Sequence, residues 1–221
     1  MTRAATVVEL FCGCGGISNG LLHAGFDVRL GIDHTTAAID TYQYNHEHVG
    51  SRGWTADVRE LAGPQILNAA RLGSKRPDLV TGGPPCQPFS IIGKRLALDD
   101  ERGDLVLEYV RLVSELAPQA FIFENVANFA SIAGGAIAAM VIERLERAGY
   151  ATSSGVLNAS EFGVAQMRKR FLILGLRGGR APGMPHATHG PLALLGQKPL
   201  HACRDVLDDL PDVETDAALS F

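Results

Sequence analysis

Apolar and polar positions along the chain follow two alternating periods, which predict strands and helices in turn. Short continuous apolar runs such as Thr6–Phe11 and Ala120–Phe123 are typical of strands buried on both faces of a parallel sheet. Stretches such as Asp104–Leu116 instead carry apolar residues three and four positions apart, the spacing of one helix face. Strand and helix in regular alternation predict an α/β fold with a doubly wound, mostly parallel sheet.

The same periods place the individual elements along the chain. The predicted strands are Thr6–Phe11, Val28–Ile32, Asp78–Thr81, Ala120–Phe123 and Phe171–Leu176. The predicted helices are Ser18–Ala24, Thr36–Tyr44, Val58–Leu72, Asp104–Leu116 and Gly135–Ala148. In a doubly wound sheet the ligand binds beyond the carboxyl ends of the strands, so residues that directly follow a strand are candidates for a site.

The composition is that of an ordinary globular chain, with 46% hydrophobic and 20% charged residues. No apolar run approaches the ~20 residues of a membrane span, and Met1–Ala5 is not a signal peptide, so we expect a cytoplasmic protein. The 4 cysteines lack zinc-site spacing, so we expect free thiols and no metal site. A net charge of −4 argues mildly against a chain dedicated only to binding nucleic acid.

Charge is segregated near the carboxyl end of the chain. The range 162–204 holds basic residues and no acidic ones, whereas the range 205–221 holds acidic residues and no basic ones. A solvated surface followed by a polar tail would give this pattern. So would a strip that faces phosphates and ends where a different kind of segment begins.

The turn after the first strand reads FCGCGG, from Phe11 to Gly16. Glycines let a backbone approach a ligand closely, but Ser18 breaks the G-x-G-x-x-G spacing and argues against a dinucleotide dehydrogenase. Asp33 follows the second strand, where an acid commonly binds ribose hydroxyls. Asp57 lies near the expected end of the third strand. It either contacts an adenine amino group or caps a helix, and the spacing leaves both open.

A proline-rich stretch, GGPPCQPFS at Gly82–Ser90, follows the strand Asp78–Thr81 and is the most distinctive part of the chain. Prolines fix φ and bias the preceding residue away from helix, so this turn holds one small side chain, Cys86, in a fixed direction. A buried structural cysteine is the alternative. Residues that could act together with a nucleophilic cysteine occur elsewhere in the chain, next to predicted strands.

Those partners are an acid and two arginines. Glu124 ends the strand Ala120–Phe123, and Arg168 and Arg170 occupy alternate positions before the last strand, hence one face if the segment is extended. Taken singly, Glu124 could cap a helix and the arginines could be surface charges. A cysteine, an acid and arginines at one edge of a sheet suit nucleophilic addition to an electron-poor ring.

The motifs ELFCGCGG, GGPPCQPFS, ENV and QMRKR, with NASEFGVAQ leading into the last, resemble the DNA (cytosine-5)-methyltransferase family. The resemblance runs from Val7 to about Pro211. It implies a Rossmann-like methyltransferase fold, S-adenosylmethionine as cofactor, double-stranded DNA as substrate, and a place in restriction–modification. The implied reaction adds a cysteine to a cytosine that has been flipped out of the duplex.

The resemblance also assigns roles to single residues. Cys86 is the implied nucleophile, and Glu124 holds the cytosine at N3 and its amino group. Arg168 faces the ring O2 and Arg170 supports the loop and backbone contacts. Asp33 stands where the family usually carries the longer Glu. The implied cofactor-binding residues are Phe11, Gly13, Gly15, Gly16, Asp33, His34, Asp57, Val58, Pro85 and Leu105.

Full-length members of the family continue with a target-recognition region and a closing helix. We therefore expect residues 1–180 to form the catalytic, cofactor-binding domain and residues 181–221 to lead toward a recognition region supplied elsewhere. A second polypeptide carrying that region and the closing helix is the expected partner; a shortened enzyme is the other reading. The sequence does not give the target site.

Two further alternatives remain. A non-catalytic partner subunit would usually lack the cysteine or the ENV acid, and both are present here. A transfer-RNA cytosine-5 methyltransferase would typically carry Thr where this chain has Ser90.

Overall fold

A computed structural model of the chain describes residues 3–85, 105–190, 196–208 and 210. Cys86 and the rest of the proline-rich stretch Gly82–Ser90 that follows it lie outside the described residues, as does the acidic tail beyond residue 210. The elements that carry the other predicted site residues are all described.

The chain alternates strands and helices as predicted. The strands are β1 (Thr6–Leu10), β2 (Asp27–Asp33), β3 (Arg52–Thr55), β4 (Leu79–Gly82), β5 (Ala120–Val126), β6 (Tyr150–Asn158), β7 (Lys169–Arg177), β8 (His189–Gly190) and β9 (Lys198–Pro199). The α-helices are α1 (Gly16–His23), α2 (Thr36–His46), α3 (Gly63–Ala69), α4 (Leu105–Leu116), α5 (Ala136–Arg147) and α6 (Arg204–Leu207). Short 3-10 helices cover Glu47–Val49, Val58–Glu60, Ala127–Gly135 and Ala159–Phe162.

Seven strands form one sheet in the order β3-β2-β1-β4-β5-β7-β6. The pairs β1–β2, β1–β4, β2–β3 and β4–β5 are parallel. The predicted α/β class and doubly wound, mostly parallel sheet are confirmed. The strand order reverses between β1 and β4, and ligands of such sheets bind in the crevice at this switch point.

Side chains alternate between the two faces of each strand, and each face has its own apolar cluster. On one face Val8, Leu10 and Val80 pack with helix α4 and with most of the buried aromatic rings. On the other face Val7, Val28 and Leu79 form a smaller cluster, against which Leu21 and Leu22 of α1 pack. The sheet is therefore covered on both sides where β1 and β4 meet.

The structure corrects the predicted helix Val58–Leu72. Its first residues form the 3-10 helix Val58–Glu60, Leu61 is extended, and α3 begins only at Gly63 with Pro64 in its first turn. Proline favours the first turn of a helix, so the new start has a local cause. Sequence reasoning expected a third strand ending near Asp57 but gave no bounds for it, and it did not predict β6. Both strands, β3 and β6, alternate weakly between buried and exposed positions.

One described helical stretch, Ala127–Arg147, has the length and a mean hydropathy, 1.2, that would allow it to cross a membrane. The stretch is interrupted at Ile132–Gly134, where Ala133 and Gly134 have φ of 51° and 66°. Beyond the break, Val141 and Leu145 of α5 are fully buried in the core cluster. Packing in this fold accounts for the apolar residues of α5.

The chain divides into two compact units. The first comprises Met1–Gly155 and Phe171–Met184, and it contains β1–β5 with helices α1–α5. The second comprises Val156–Arg170 and Pro185–Phe221, with the parallel pair of β8 and β9 and the short helix α6. Exposed apolar side chains are a feature of the second unit, including Met167 at 83% and Leu210 at 63%.

Candidate functional site

The carboxyl ends of five parallel strands lie in register and place the predicted residues along one edge. Leu10 pairs with Ile32 and Gly82, Ile32 pairs with Trp54, and Gly82 pairs with Phe123. This row runs across the switch point between β1 and β4. The residues directly beyond the row are Phe11, Asp33, Thr55, Gly83 and Glu124.

The FCGCGG turn after β1 has an unusual backbone. Phe11, Gly13 and Gly15 have φ of 57°, 51° and 90°, all in the left-handed region. A left-handed Phe is uncommon and is held only where the surrounding structure demands it. The turn is fixed by hydrogen bonds from Cys12 N to Ile32 O, 3.0 Å, and from Gly15 N to Cys12 O, 2.9 Å. The strained backbone marks the turn as a functional candidate.

The glycines of the turn face different surroundings. A Cβ at Gly15 would overlap the ring of His46 and lie 2.8 Å from Tyr42 Cδ2, so helix α2 packs directly beneath this residue. A Cβ at Gly13 or Gly16 would meet nothing within 4 Å. The turn thus rests on α2 on one side and leaves room for a ligand against its backbone on the other.

Asp33, at the end of β2, ties the turn to its neighbour. Its Oδ2 accepts a hydrogen bond from Gly13 N, 3.0 Å, and its Oδ1 accepts one from Thr35 N, 2.9 Å. The side chain is only 13% exposed, whereas that of His34 beside it is 76% exposed. The structure therefore brings Asp33 to the turn as predicted and gives it a structural task there.

Asp57 caps the 3-10 helix Val58–Glu60 by accepting a hydrogen bond from Arg59 N, 3.0 Å. Hydrogen bonding to the Arg59 guanidinium lowers the pKa of Asp57. Of the two readings that the sequence left open, the structure shows the cap. The Val58 side chain is 4% exposed and belongs to the core, so it is not available at the surface of the crevice.

Glu124 and Asn125, at the end of β5, contact the segment that leads to the cysteine. A Cβ on Gly83 would lie 2.7 Å from Glu124 Oε2, so only a glycine lets the carboxylate approach this closely. Asn125 is buried, donates from Nδ2 to Pro84 O at 3.0 Å, and accepts from Val126 N at 2.9 Å. Asn125 thereby fixes the backbone at Pro84, the residue before Pro85, and Glu124 lies against Gly83. We refer to these contacts as the β4–β5 clamp.

Three predicted residues, Pro85, Cys86 and Leu105, follow the clamp along the chain. Pro85 is exposed and is the last described residue before Cys86, whose position lies outside the described residues. Leu105 is the first residue of α4 and packs against the main core cluster. Sequence reasoning assigned no role to Asn125, and the available signal was its place directly after Glu124 in the ENV motif.

The predicted arginines flank the start of β7. Arg168 is exposed, and its backbone is held by Asn158 Oδ1 at 3.0 Å and by a bond from Ala159 N to Arg168 O at 2.9 Å. Arg170 is half-buried, and its Nη1 donates to Lys169 O at 2.9 Å. The backbone around Arg168 is therefore ordered by its own hydrogen bonds while its guanidinium faces solvent.

A chain of buried polar groups lies in the layer between β1 and helices α1 and α2. Glu9 is 1% exposed, and its Oε2 accepts hydrogen bonds from Ser18 N, at 2.9 Å, and from the Ser18 hydroxyl. Ser18 Oγ is 3.1 Å from Tyr42 OH, which is 2.8 Å from Ser51 Oγ. Burial raises the pKa of Glu9 to about 7 and that of Tyr42 to about 12. Sequence reasoning missed this network, although a lone acid in the apolar strand Thr6–Leu10 was a readable signal.

Comparison with known proteins gives a consistent result. A family model described as C-5 cytosine-specific DNA methylase matches residues 5–214. The Type II methyltransferase M.AquIA of Picosynechococcus sp. is 36% identical over 97% of this chain and 92% of its own length. M.AgeI of Thalassovita gelatinovora is 35% identical over 93% of this chain, and M.XorII of Xanthomonas oryzae pv. oryzae is 36% identical over 97%. This chain spans only 51% and 48% of those two relatives, respectively.

Solved structures of other methyltransferases have the same fold as this chain. One is the crystal structure of a putative DNA modification methyltransferase encoded within an E. coli prophage. It superimposes with a TM-score of 0.67 and 31% identity, over 79% of this chain and 47% of that chain. The S. pombe Dnmt2 methyltransferase superimposes with a TM-score of 0.63 over 82% of this chain and 52% of that chain. Its identity is 24%, so it supports the fold alone.

Proposed function

Because the chain belongs to the C-5 cytosine-specific DNA methylase family, we propose that it methylates C5 of a cytosine in double-stranded DNA as part of a bacterial or phage-type modification system in the cytoplasm. The family is made up of methyltransferases that use S-adenosylmethionine as methyl donor. The observation that carries the proposal is the β4–β5 clamp, in which Glu124 lies against Gly83 and Asn125 holds Pro84, the residue before Pro85 and Cys86.

The turn from Phe11 to Gly16 would hold the cofactor. The open space at Gly13 and Gly16 supports a close approach of its methionine part to the backbone. Asp33 uses one lone pair of each oxygen on Gly13 N and Thr35 N, and a carboxylate has about four such sites. Ribose hydroxyls can therefore add to the contacts that Asp33 already makes. When bound, S-adenosylmethionine supplies an electrophilic methyl group.

The residues of the β4–β5 clamp and the cysteine activate the base. Cytosine C5 is a poor nucleophile, and the Cys86 thiolate forms a bond to C6 while Glu124 gives a proton to N3. The resulting enamine is nucleophilic at C5 and can take up the methyl group. Loss of the C5 proton to a base then breaks the C6–sulfur bond and returns the thiolate, and N3 gives its proton back to Glu124. Asn125 holds the backbone on which the nucleophile stands.

The resemblance to the family implies roles for two arginines. Arg168 would face O2 of the ring and Arg170 would support the adjoining backbone. Hydrogen bonds from Arg168 N to Asn158 Oδ1 and from Ala159 N to Arg168 O keep the Arg168 backbone fixed, which supports a defined direction for its side chain. The reacting cytosine must be flipped out of the duplex at a cost of about a few kcal/mol, and these contacts would offset part of that cost.

A second polypeptide supplies the target-recognition region and the closing helix in this proposal, and residues 1–180 act as the catalytic domain. Phe121, Phe123, Phe171 and Ile173 share the main core face of neighbouring strands β5 and β7. The residues between them, on the opposite face, are only half-buried although apolar: Ala120, Ile122, Leu172, Leu174 and Leu176. An apolar sheet face of this kind supports the docking of a further helix.

The lengths of the relatives give independent support. One curated Type II methyltransferase is matched over 92% of its own length, so a catalytic chain of this extent occurs in the family. Two others contain about twice as much sequence as the part that this chain matches, at 51% and 48% coverage. In this proposal the partner supplies what those longer relatives carry beyond the matched part.

The test is methyl transfer by the purified chain, alone and mixed with the product of the neighbouring reading frame. DNA lacking 5-methylcytosine is incubated with S-adenosylmethionine, digested to nucleosides and analysed by mass spectrometry. We expect 5-methylcytosine at one short sequence with the partner and little product without it. Methylation on an exocyclic nitrogen would contradict the chemistry. Robust sequence-specific methylation by the chain alone would contradict the need for a partner.

A further inference from the structure

Glu9 is a buried carboxylate in the strand that leads into the cofactor turn. It lies on the sheet face of Val7, is 1% exposed, and is separated from the turn residue Phe11 by Leu10 alone. A buried carboxylate is costly unless hydrogen bonds satisfy it. Both hydrogen bonds to its Oε2 come from Ser18, through the backbone N–H and the hydroxyl. Ser18 stands in the first turn of α1, so Glu9 ties β1 directly to the helix that follows the turn.

The donors of the network run in one direction when Glu9 is ionised. An ionised carboxylate only accepts, whereas each hydroxyl can donate once and accept. Ser51 can therefore donate to Tyr42, Tyr42 to Ser18, and Ser18 to Glu9, and every link is used. A protonated Glu9 would bring a further donor next to Ser18, whose hydroxyl already donates to Glu9 and can accept from Tyr42. The network favours the charged form, while burial opposes it.

The groups around Glu9 come from four neighbouring parts of the fold. Asp33 at the end of β2 adds a second negative charge. The Cys12 thiol in the turn and the Tyr42 phenol on α2 are neutral at physiological pH, because their pKa values are raised. On β4, Thr81 pairs with Glu9, is fully buried, and its Oγ1 finds no hydrogen-bond partner within the described part of the chain. Two carboxylates thus lie under and beside the turn, which makes it attractive to a cation.

We infer that Glu9 is a positioning residue whose negative charge makes the turn bind S-adenosylmethionine in preference to S-adenosylhomocysteine. The inference rests on the proposed function. The two molecules differ by one methyl group and by the positive charge that it places on sulfur. A buried charge is screened less than an exposed one, so it discriminates between the two ligands without touching either. The same preference would help the demethylated product to leave.

The ionisation of Glu9 gives this inference a pH dependence. Burial raises the pKa of Glu9 to about 7, so the carboxylate is charged at alkaline pH and largely neutral at mildly acidic pH. The preference for the cationic ligand should therefore weaken as the pH falls through about 7. The amino group is common to both ligands, so the ratio of the two affinities removes most of its effect. Removing the Glu9 carboxyl by substitution separates its contribution to the ratio from that of other charges near the turn.

The experiment is calorimetric titration of the protein with each ligand at about pH 6 and about pH 8.5. For the wild-type chain we expect the ratio of the two affinities to favour S-adenosylmethionine more at the higher pH, by about three- to tenfold. For Glu9→Gln we expect a smaller ratio that does not change with pH. Tyr42→Phe is the matched control, since it breaks the hydroxyl chain but keeps the carboxylate. It should weaken both ligands equally and retain the pH-dependent ratio.

The outcomes separate this inference from the proposed function. If both ligands bind and the wild-type ratio is the same at both pH values, Glu9 does not discriminate and the inference is wrong while the proposed function stands. If neither ligand binds, with or without the partner, both the inference about Glu9 and the proposed function are wrong. Should Glu9→Gln fail to fold, the wild-type ratio still decides. Glu9→Asp, which keeps the charge, must then preserve the pH dependence.

Discussion

The two halves of the candidate site are built differently. In the cofactor half, the turn from Phe11 to Gly16 with Asp33 beside it, the acid is bound to backbone N–H groups and a glycine rests on aromatic rings. In the cysteine half, the ends of β4 and β5, Glu124 and Asn125 reach across to the neighbouring strand end and hold its backbone.

This difference decides which changes each half can tolerate. The cofactor half offers a ligand mainly backbone and open space, so its function depends on the shape of the turn and on what lies beneath it. The cysteine half offers side chains, so its function depends on where they are placed. A substitution that alters backbone shape should therefore act on stability and cofactor binding, and one that displaces a side chain should act on the chemical step.

The largest expected effect is that of Cys86→Ala. Without the thiolate no bond to C6 can form, and methyl transfer should fall by at least about 10³-fold. DNA with 5-fluorocytosine at the target should be trapped covalently by the wild-type chain with its partner, because fluorine does not leave as a proton does. Gel electrophoresis under denaturing conditions measures the adduct.

The matched control for this experiment is Cys14→Ala, which removes an exposed thiol from the cofactor half. It should leave trapping intact. Trapping that survives in Cys86→Ala and disappears in Cys14→Ala would move the nucleophile to the glycine turn, and the contrast between the halves would collapse.

The next effect is on stability, at Gly15. Its φ of 90° and the contacts that a Cβ would make with His46 and Tyr42 predict that Gly15→Ala lowers the free energy of unfolding by about 2–4 kcal/mol. Gly16→Ala is the control, since its Cβ would enter open space. Denaturant unfolding should show the loss only for Gly15, while titration should show weaker cofactor binding for Gly16. Equal stabilities would mean that α2 does not support the turn.

A third prediction concerns Glu9 and pH. Because burial raises its pKa from 4.5 to about 7, the native state binds a proton more tightly than the unfolded chain. This contribution to stability is complete below about pH 4.5 and is lost as the pH rises through about 7, a difference of up to ~3 kcal/mol. Glu9→Gln should remove that loss. Its free energy of unfolding should exceed that of the wild type by more at about pH 8.5 than at about pH 5.

Parallel pH profiles of the two proteins would contradict the assignment of this stability change to Glu9. The measurement is urea unfolding followed by circular dichroism across the pH range, with Glu143→Gln as an exposed control. That control should change stability by no more than about 0.5 kcal/mol at any pH.

The smallest effect tests the β4–β5 clamp. In Gly83→Ala the new Cβ would press on the Glu124 carboxylate, which can swing aside, so the fold should survive. Methyl transfer should nevertheless fall about 30-fold, because Glu124 would leave the N3 edge of the base. Gly20→Ala, a change into open space on α1, should leave both activity and stability nearly unchanged. A fully active Gly83→Ala would show that the placement of Glu124 is not critical.

Much of the fold could be predicted because strand and helix periods are strong along β1, β2, β4 and β5. The bounds of β3 and the existence of β6 could not be predicted, since both are edge strands, edge positions are partly exposed, and the apolar alternation of these two strands is weak. The break between Val58–Glu60 and α3 depended on Gly63 and Pro64, whose effect on a helix start is local and easily hidden by the surrounding apolar period.

For the site, the sequence could place Asp33 and Glu124 at one edge, because both directly follow predicted strands. It could not show that Asp33 would be bound by Gly13 N, nor decide that Asp57 caps a helix. These choices depend on which donors the folded backbone brings near, and residue spacing does not contain that information. The role of Cys86 stays a prediction.

The half-buried apolar face of β5 and β7 has a consequence for the cell that makes this protein. If a partner chain covers that face, molecules synthesised without the partner would leave this apolar surface uncovered. Chaperones or proteases would then capture them. The amount of methylating enzyme would then follow the scarcer of two gene products. Coupled translation of the two reading frames would keep their ratio steady, so that the genome is never left partly unmarked.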